Sequence, residues 1–210
     1  MHILEILSIT IIHLISSAQY LGIFILMFLE SLLIPIPSEI TMPFAGFLAS
    51  QGHLNIFFAI FTGAVANLTG SLIAYYIGFF LEETVILGLI KKYGKFLLLT
   101  TDDYEKSRHW FQKYGSAVVF FSRLLPGIRT FISLPAGLSE MNIWKFSFYT
   151  FLGSLIWSAA LTYIGFYTGK NWKSLEPIYR KFELAIAIVI VIGILWYINH
   201  KLKIIKIRNK

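Results

Sequence analysis

Two apolar blocks, Ile56–Phe80 and Ile143–Thr168, are long enough to cross the ~30 Å hydrocarbon core of a bilayer as single helices. A further block at 182–199 is predicted to span last. The remaining apolar stretches are interrupted. Residues 3–17 are apolar apart from Glu5 and His13, and suit either an interfacial or a spanning helix. Residues 20–34 are apolar apart from Glu30, then break at Pro35, Pro37 and Pro43 and turn polar around Ser50, Gln51 and His53. About 15 helical residues reach only about 22 Å, too short to span. A helix that stops at prolines and resumes predicts a re-entrant hairpin, which is tolerated at membrane depth only where protein or water covers the freed backbone. Residues 116–137 form a second broken stretch, interrupted at Pro126 and Gly127.

Residues 82–114 read differently. Lys91, Lys92, Lys95, Asp102, Asp103, Glu105, Lys106, Arg108 and Lys113 alternate with Leu, Ile, Phe and Trp110. That pattern predicts two amphipathic helices lying on a membrane surface. Thr100-Thr101-Asp102-Asp103 supplies a helix start for the second.

The chain also resembles itself. At an offset of 87, Asn55-Ile56, Phe61, Leu68, Ser71 and Tyr76-Ile-Gly-Phe79 meet Asn142-Ile143, Phe148, Leu155, Ser158 and Tyr163-Ile-Gly-Phe166. At an offset of 91, Ser31, Leu33, Pro35 and Ala45-Gly46 meet Ser122, Leu124, Pro126 and Ala136-Gly137. Each half is a broken hairpin followed by a spanning helix, with repeat one over 20–80, an amphipathic linker over 81–115, and repeat two over 116–169. Repeated halves with interrupted helices are a transporter pattern, with the site between the halves near the midplane. The expected fold is therefore an all-α integral membrane domain over 1–210. It is an inverted repeat of two re-entrant hairpins, each followed by a transmembrane helix, with amphipathic helices and a C-terminal transmembrane helix at 182–200.

Composition supports a lipid solvent. The chain is 57% hydrophobic and 14% charged, against about 25% charged in a soluble domain. Cysteine is absent, which excludes disulfides, thiolate metal sites and a cysteine nucleophile. The five histidines are scattered without helical metal-ligand spacing, so neither a metal nor another cofactor is expected. The net charge of +7 is uneven: no Lys or Arg precedes Lys91. The N-terminus thus lacks the basic n-region of a cleaved signal peptide. The tail from Lys201 to Lys210 is basic and directly follows an apolar run, which places the C-terminus in the cytoplasm. A basic loop at 170–181 on the opposite side argues against this orientation, but its charge is less dense. The tail suits anionic headgroups, and nothing else in the chain points to nucleic acid.

Four ionisable side chains fall inside the broken stretches: Glu30 and Glu39 in the first, Arg123 and Arg129 in the second. A charge at the bilayer centre costs roughly 2.5–3.5 kcal/mol on insertion scales. One reading is structural: a permanent Glu–Arg pair locks the hairpins together, or Arg129 bonds freed carbonyls. The other is functional. Arginine binds phosphate as a bidentate fork and keeps its charge, and helix ends freed at Pro126 and Gly127 would add backbone N–H donors. Arg123 and Arg129, with Ser122 and Gly127, would hold a lipid phosphate. An apolar setting favours the neutral carboxylic acid, so protonation of Glu30 or Glu39 would release an arginine to the anion. No acid–His or Ser–His arrangement suits catalysis, so an enzyme is not expected.

The segments Glu30-x4-Pro35-x-Pro37-x-Glu39, Phe121-Ser-Arg-Leu-Leu-Pro-Gly-Ile-Arg129 and Ala136-Gly137 resemble the DedA family of membrane proteins, also described by its SNARE-associated or VTT domain. Gly153-x3-Trp157 and Gly165-x3-Gly169 fit it too. The resemblance covers about residues 20–170. It implies two oppositely oriented re-entrant hairpins and lipid translocation, often tied to proton motive force, with Glu30, Glu39, Arg123 and Arg129 as the functional charges. The Pro-Ile-Pro-Ser-Glu and Met42-Pro-Phe-Ala-Gly46 wording resembles bacterial members that return undecaprenyl phosphate to the cytoplasmic leaflet for cell-wall synthesis. Other members resemble phosphatidylethanolamine translocases or scramblases, and enteric members carry a Pro-Gly-Asp wording that this chain lacks. The implied partners are a lipid phosphate, membrane lipids, and protons or another coupling ion, in a bacterial cytoplasmic membrane. Small-residue faces around Gly63, Gly70 and Gly153 serve internal packing or a homodimer equally.

Overall fold

A computed structural model describes residues 2–32, 34, 36–81, 88, 101–125 and 128–168. The predicted first amphipathic helix, the loop at 170–181 and the C-terminal span lie outside the described residues, as do Leu33, Pro35, Pro126 and Gly127. Contacts divide the chain into two units, Met1–Leu81 with Arg108–Trp172, and Glu82–Ser107 with Lys173–Lys210. The first unit carries every side chain considered below.

The described residues form helices joined by turns: α1 (His2–Ser31), α2 (Ser38–Ser50), α3 (Ile56–Phe80), α4 (Thr101–Ser122), α5 (Ile128–Phe131), α6 (Ser133–Leu138) and α7 (Ile143–Thr168). Among the described residues, three helical stretches have the length and apolar composition to cross a membrane: α3, α7, and Thr10–Ser31 within α1, the last of which is broken by a bend at Gln19.

Sorting of side chains on α3 and α7 shows why lipid must surround them. Their buried faces are mostly small or polar, with Gly63, Ala66, Asn67, Gly70 and Ser71 on α3, and Thr150, Gly153, Ser154, Ser158 and Thr162 on α7. Their outward faces carry Phe57, Phe58, Phe61, Phe80, Trp144, Phe148 and Tyr167, all more than half exposed. This is the reverse of a soluble helix, whose apolar stripe faces inward. Small inner faces let membrane helices approach closely. The exposed aromatics suit a lipid and interfacial setting.

The long helices begin alike. Asn55 Oδ1 accepts from the amides of Phe57 and Phe58 at 2.9 and 3.3 Å. Asn142, 87 residues later, accepts from Trp144 and Lys145 at 3.0 and 3.2 Å. Each satisfies amides that the first helical turn leaves free.

The short arms exchange partners. The arm α2 lies on α7, where Gly46 meets the Thr162 carbonyl and Gly165 meets the Pro43 carbonyl. The arm α6 lies on α3, where Gly137 meets the Tyr75 carbonyl and Gly78 meets the Leu134 carbonyl. A Cβ at any of the four would strike backbone, so the contacts require glycine. Each short arm thus rests on the long helix that is distant from it in sequence. Two apolar cores result. One joins Ile15, Ile23, Met27, Met42 and Phe44, and the other joins Tyr75, Phe111, Val119 and Phe146.

The gap read between the stretches 3–17 and 20–34 is a sharp bend: at Gln19, φ of 50° and ψ of −122° interrupt the helix and part α1 into two stretches. The chain turns back there, so that Gly22 sits against the Leu14 carbonyl. Two boundaries differ from the sequence reading. Pro43 does not break α2; the ring costs one intrahelical bond, and a buried position against α7 holds the helix together. Finally, α4 passes through Gly115 without a break. The second predicted amphipathic helix and the apolar stretch that begins at Ser116 are one helix, Thr101–Ser122.

Candidate functional site

Glu30, Arg123 and Arg129 are 5%, 2% and 4% exposed, so three full-length charged side chains are enclosed in the interior of a membrane protein. Glu30 ends the apolar run of α1. Arg129 lies in the single turn α5, and the structure brings them together: Arg129 Nη2 donates to Glu30 Oε1 and to Ser38 Oγ. The Ser38 amide, in the first turn of α2, also donates to Glu30 Oε1 at 3.4 Å. The guanidinium carbon stands 5.5 Å from the Trp157 ring centre on α7, within cation–π range. One ion pair therefore ties α1, α2 and α5 beneath α7.

Arg123 has a different environment. Nη1 donates to Ser71 Oγ at 3.0 Å and to the Arg129 carbonyl at 2.8 Å. Nη2 donates to Ser133 Oγ at 2.9 Å and to Thr150 Oγ1 at 3.4 Å. Its guanidinium carbon lies 5.8 Å from the Phe146 ring centre. All four acceptors are uncharged. They come from α3, α5, α6 and α7, so Arg123 fastens the turn that carries Arg129. The carbonyl-binding role expected of Arg129 falls to Arg123.

The other expected residues sort by position. Glu39 is half-buried in the first turn of α2, where Ser38 Oγ lies 3.3 Å from its carboxylate. It thus joins the Glu30–Arg129 pair through Ser38. Ser122 is buried, but its hydroxyl donates to the Val119 carbonyl of its own helix at 2.8 Å. Pro37 caps α2 with extended backbone. Gly127, Pro35 and Pro126 lie outside the described residues.

Several participants were not anticipated in these roles. Ser38, Ser71, Ser133 and Thr150 all accept from the arginines, and Ser31 donates to Asn67 Oδ1 at 2.7 Å. The one sequence trace of such roles is that Ser71 and Thr150 fall on the small, inward faces of α3 and α7. Among the described residues, no group of three His, Cys, Asp or Glu could hold a metal.

Arginines and a carboxylate enclosed among apolar helices define a membrane protein with an anion-capable interior. The family model of the VTT domain matches residues 36–167, and the chain belongs to that family, the DedA family. It is 35% identical to the uncharacterized membrane protein YkoX of Bacillus subtilis, over 88% of this chain and 80% of that one. It is 32% identical to undecaprenyl phosphate transporter A of Staphylococcus aureus, over 87% and 90%. A protein of Lactococcus lactis named alkaline phosphatase-like is 34% identical, over 89% and 86%. No solved structure matches.

Proposed function

We propose that this protein is a transporter that moves undecaprenyl phosphate across the bacterial cytoplasmic membrane, returning the carrier lipid for cell-wall synthesis with protons as the coupling ion. The observation that carries this reading is the buried Glu30–Arg129 pair. A buried guanidinium is costly unless it is paired. Here the pairing group is a carboxylate, which a single proton can neutralise. Protonated Glu30 would leave Arg129 to bind the next available anion, and a phosphate accepts its fork in two parallel hydrogen bonds. Glu39 stands one hydroxyl away, at Ser38, as the group through which the proton passes. Arg123, held by neutral acceptors, keeps its charge throughout and adds positive potential to the same turn.

The reciprocal packing of α2 on α7 and α6 on α3 supports two hairpins that enter the membrane from opposite sides without spanning it. In that arrangement the arginine turn lies near the midplane, where such transporters bind their cargo. The cytoplasmic placement of the C-terminus rests on the basic tail. The name of the staphylococcal relative agrees with a lipid phosphate as cargo. We read the protein as a carrier rather than a hydrolase because its buried polar groups bind and neutralise a phosphate, and the hydroxyls of Ser38, Ser71 and Ser133 are taken up as arginine acceptors.

Reconstitution tests the proposal. Purified protein in liposomes, with a proton gradient imposed, should move undecaprenyl phosphate between leaflets. Movement of phosphatidylethanolamine alone would make the protein a phospholipid translocase. Movement of neither lipid by folded protein would end the transport reading.

A further inference from the structure

The ion pair and the Arg123 network leave polar atoms in the same interior without partners. Among the described residues, Asn67 Nδ2, Trp157 Nε1, Ser158 Oγ, Arg123 Nε and Glu30 Oε2 are buried and make no hydrogen bond. Asn67, Ser158 and Arg123 are themselves 3%, 0% and 2% exposed. Protein interiors pair nearly all such groups, so several together call for an explanation.

These atoms surround the charged site. Asn67 is tied through its oxygen to Ser31, the residue after Glu30, which leaves its NH2 group unused. Ser71, one helical turn further along α3, holds Arg123. Gly63, one turn before Asn67, lies against Ser158. Trp157, next to Ser158, presents its ring to Arg129. Unused donors thus stand on both long helices, with the Trp157 ring at Arg129, Asn67 bonded to the residue after Glu30, and Ser158 at the contact between α3 and α7. Of the five atoms, those on Asn67, Trp157 and Arg123 are donors only, the Ser158 hydroxyl can donate, and Glu30 Oε2 accepts while the carboxylate is ionised. Once a proton neutralises that carboxylate, the cluster is rich in donors and fits a group with several acceptor oxygens.

We infer that Asn67, Trp157 and Ser158 form the neutral part of an oxyanion site, which closes on the terminal phosphate of a lipid monophosphate when Arg129 leaves Glu30. The inference rests on the reading of Arg129 as a phosphate-binding residue, and it adds the source of selectivity. The arginine attracts any phosphate. The neutral donors favour a phosphomonoester, with its exposed oxygens, over a phosphodiester, which presents fewer.

The test uses the purified full chain in detergent micelles with farnesyl monophosphate as the probe, and calorimetry as the readout. Trp157→Phe keeps an aromatic ring beside Arg129 but removes the N–H together with the second ring, while Ser158→Ala removes only the hydroxyl. Each should weaken binding by about tenfold, the worth of one hydrogen bond to a charged group. Ser158→Ala should not lower the melting temperature of the unliganded protein, since a donor without a partner contributes nothing to the fold, whereas Trp157→Phe gives up some ring packing and stability with it. A purely structural role would show the reverse pattern, with stability lost and affinity kept. Wild-type affinity in both variants, with binding abolished in Arg129→Ala, would overturn the inference and leave the arginine reading standing. Equal binding by wild type and Arg129→Ala would sink both.

Discussion

Arg123 and Arg129 lie six residues apart on one hairpin, are equally buried, and have opposite kinds of partner. Arg123 is held by three hydroxyls and a carbonyl, none of which can titrate at physiological pH. Arg129 is held by a carboxylate and the hydroxyl of Ser38. The first arrangement is permanent and leaves a full positive charge in the interior. The second is neutral overall and can be undone by one proton. On the proposed reading, two copies of the same side chain divide the work: one builds the site, and the other leaves its partner for a ligand.

That contrast predicts different failures. Arg123→Ala strips the donor from Ser71, Ser133, Thr150 and the Arg129 carbonyl together. It should destabilise the protein by about 3 kcal/mol or more, seen as a large drop in melting temperature in detergent. Gly137→Val drives a branched side chain into the Tyr75 backbone and should cost about 1–3 kcal/mol by overpacking, with Gly46→Val behaving alike on the other arm. Arg129→Lys keeps the charge and loses the fork. Its melting temperature should stay within a few degrees of wild type while transport falls about tenfold or more. If Arg123→Ala melts normally, or Arg129→Lys transports normally, the division between a building and a binding arginine is wrong. Asn142→Ala should cost only about 1 kcal/mol through loss of the cap on α7, a mild change that leaves the site untouched.

The long helices were readable because they depend on local rules. Ile56–Phe80 and Ile143–Thr168 are bounded by cap residues and uninterrupted apolar runs, and the structure keeps both sets of ends. Burial of Glu30, Arg123 and Arg129 was likewise legible, since charge in an apolar block has few places to go. Partner choice was not. The acceptors of Arg123 are small hydroxyls 10–52 residues away, and serine in a membrane helix looks the same whether or not it meets an arginine. The bend at Gln19 was legible only as the gap between the apolar stretches 3–17 and 20–34, because a non-glycine residue at positive φ has no turn chemistry to announce its geometry. Pro43 misled in the opposite direction. Its local rule is to break a helix, and packing against Gly165 outweighs that rule.

The central claim is that Glu30 and a lipid phosphate compete for Arg129. It is tested most directly by measuring farnesyl monophosphate affinity from pH 8 to pH 6 in wild type and in Glu30→Gln. Lowering the pH adds the proton that removes the competing carboxylate, so wild-type binding should tighten relative to the variant. Glu30→Gln lacks that competitor at every pH and should bind more tightly at pH 8, with the difference closing as the pH falls. Protonation of the phosphate itself affects both proteins equally and cancels in their ratio. Parallel pH profiles, or weaker binding by Glu30→Gln at pH 8, would contradict the account.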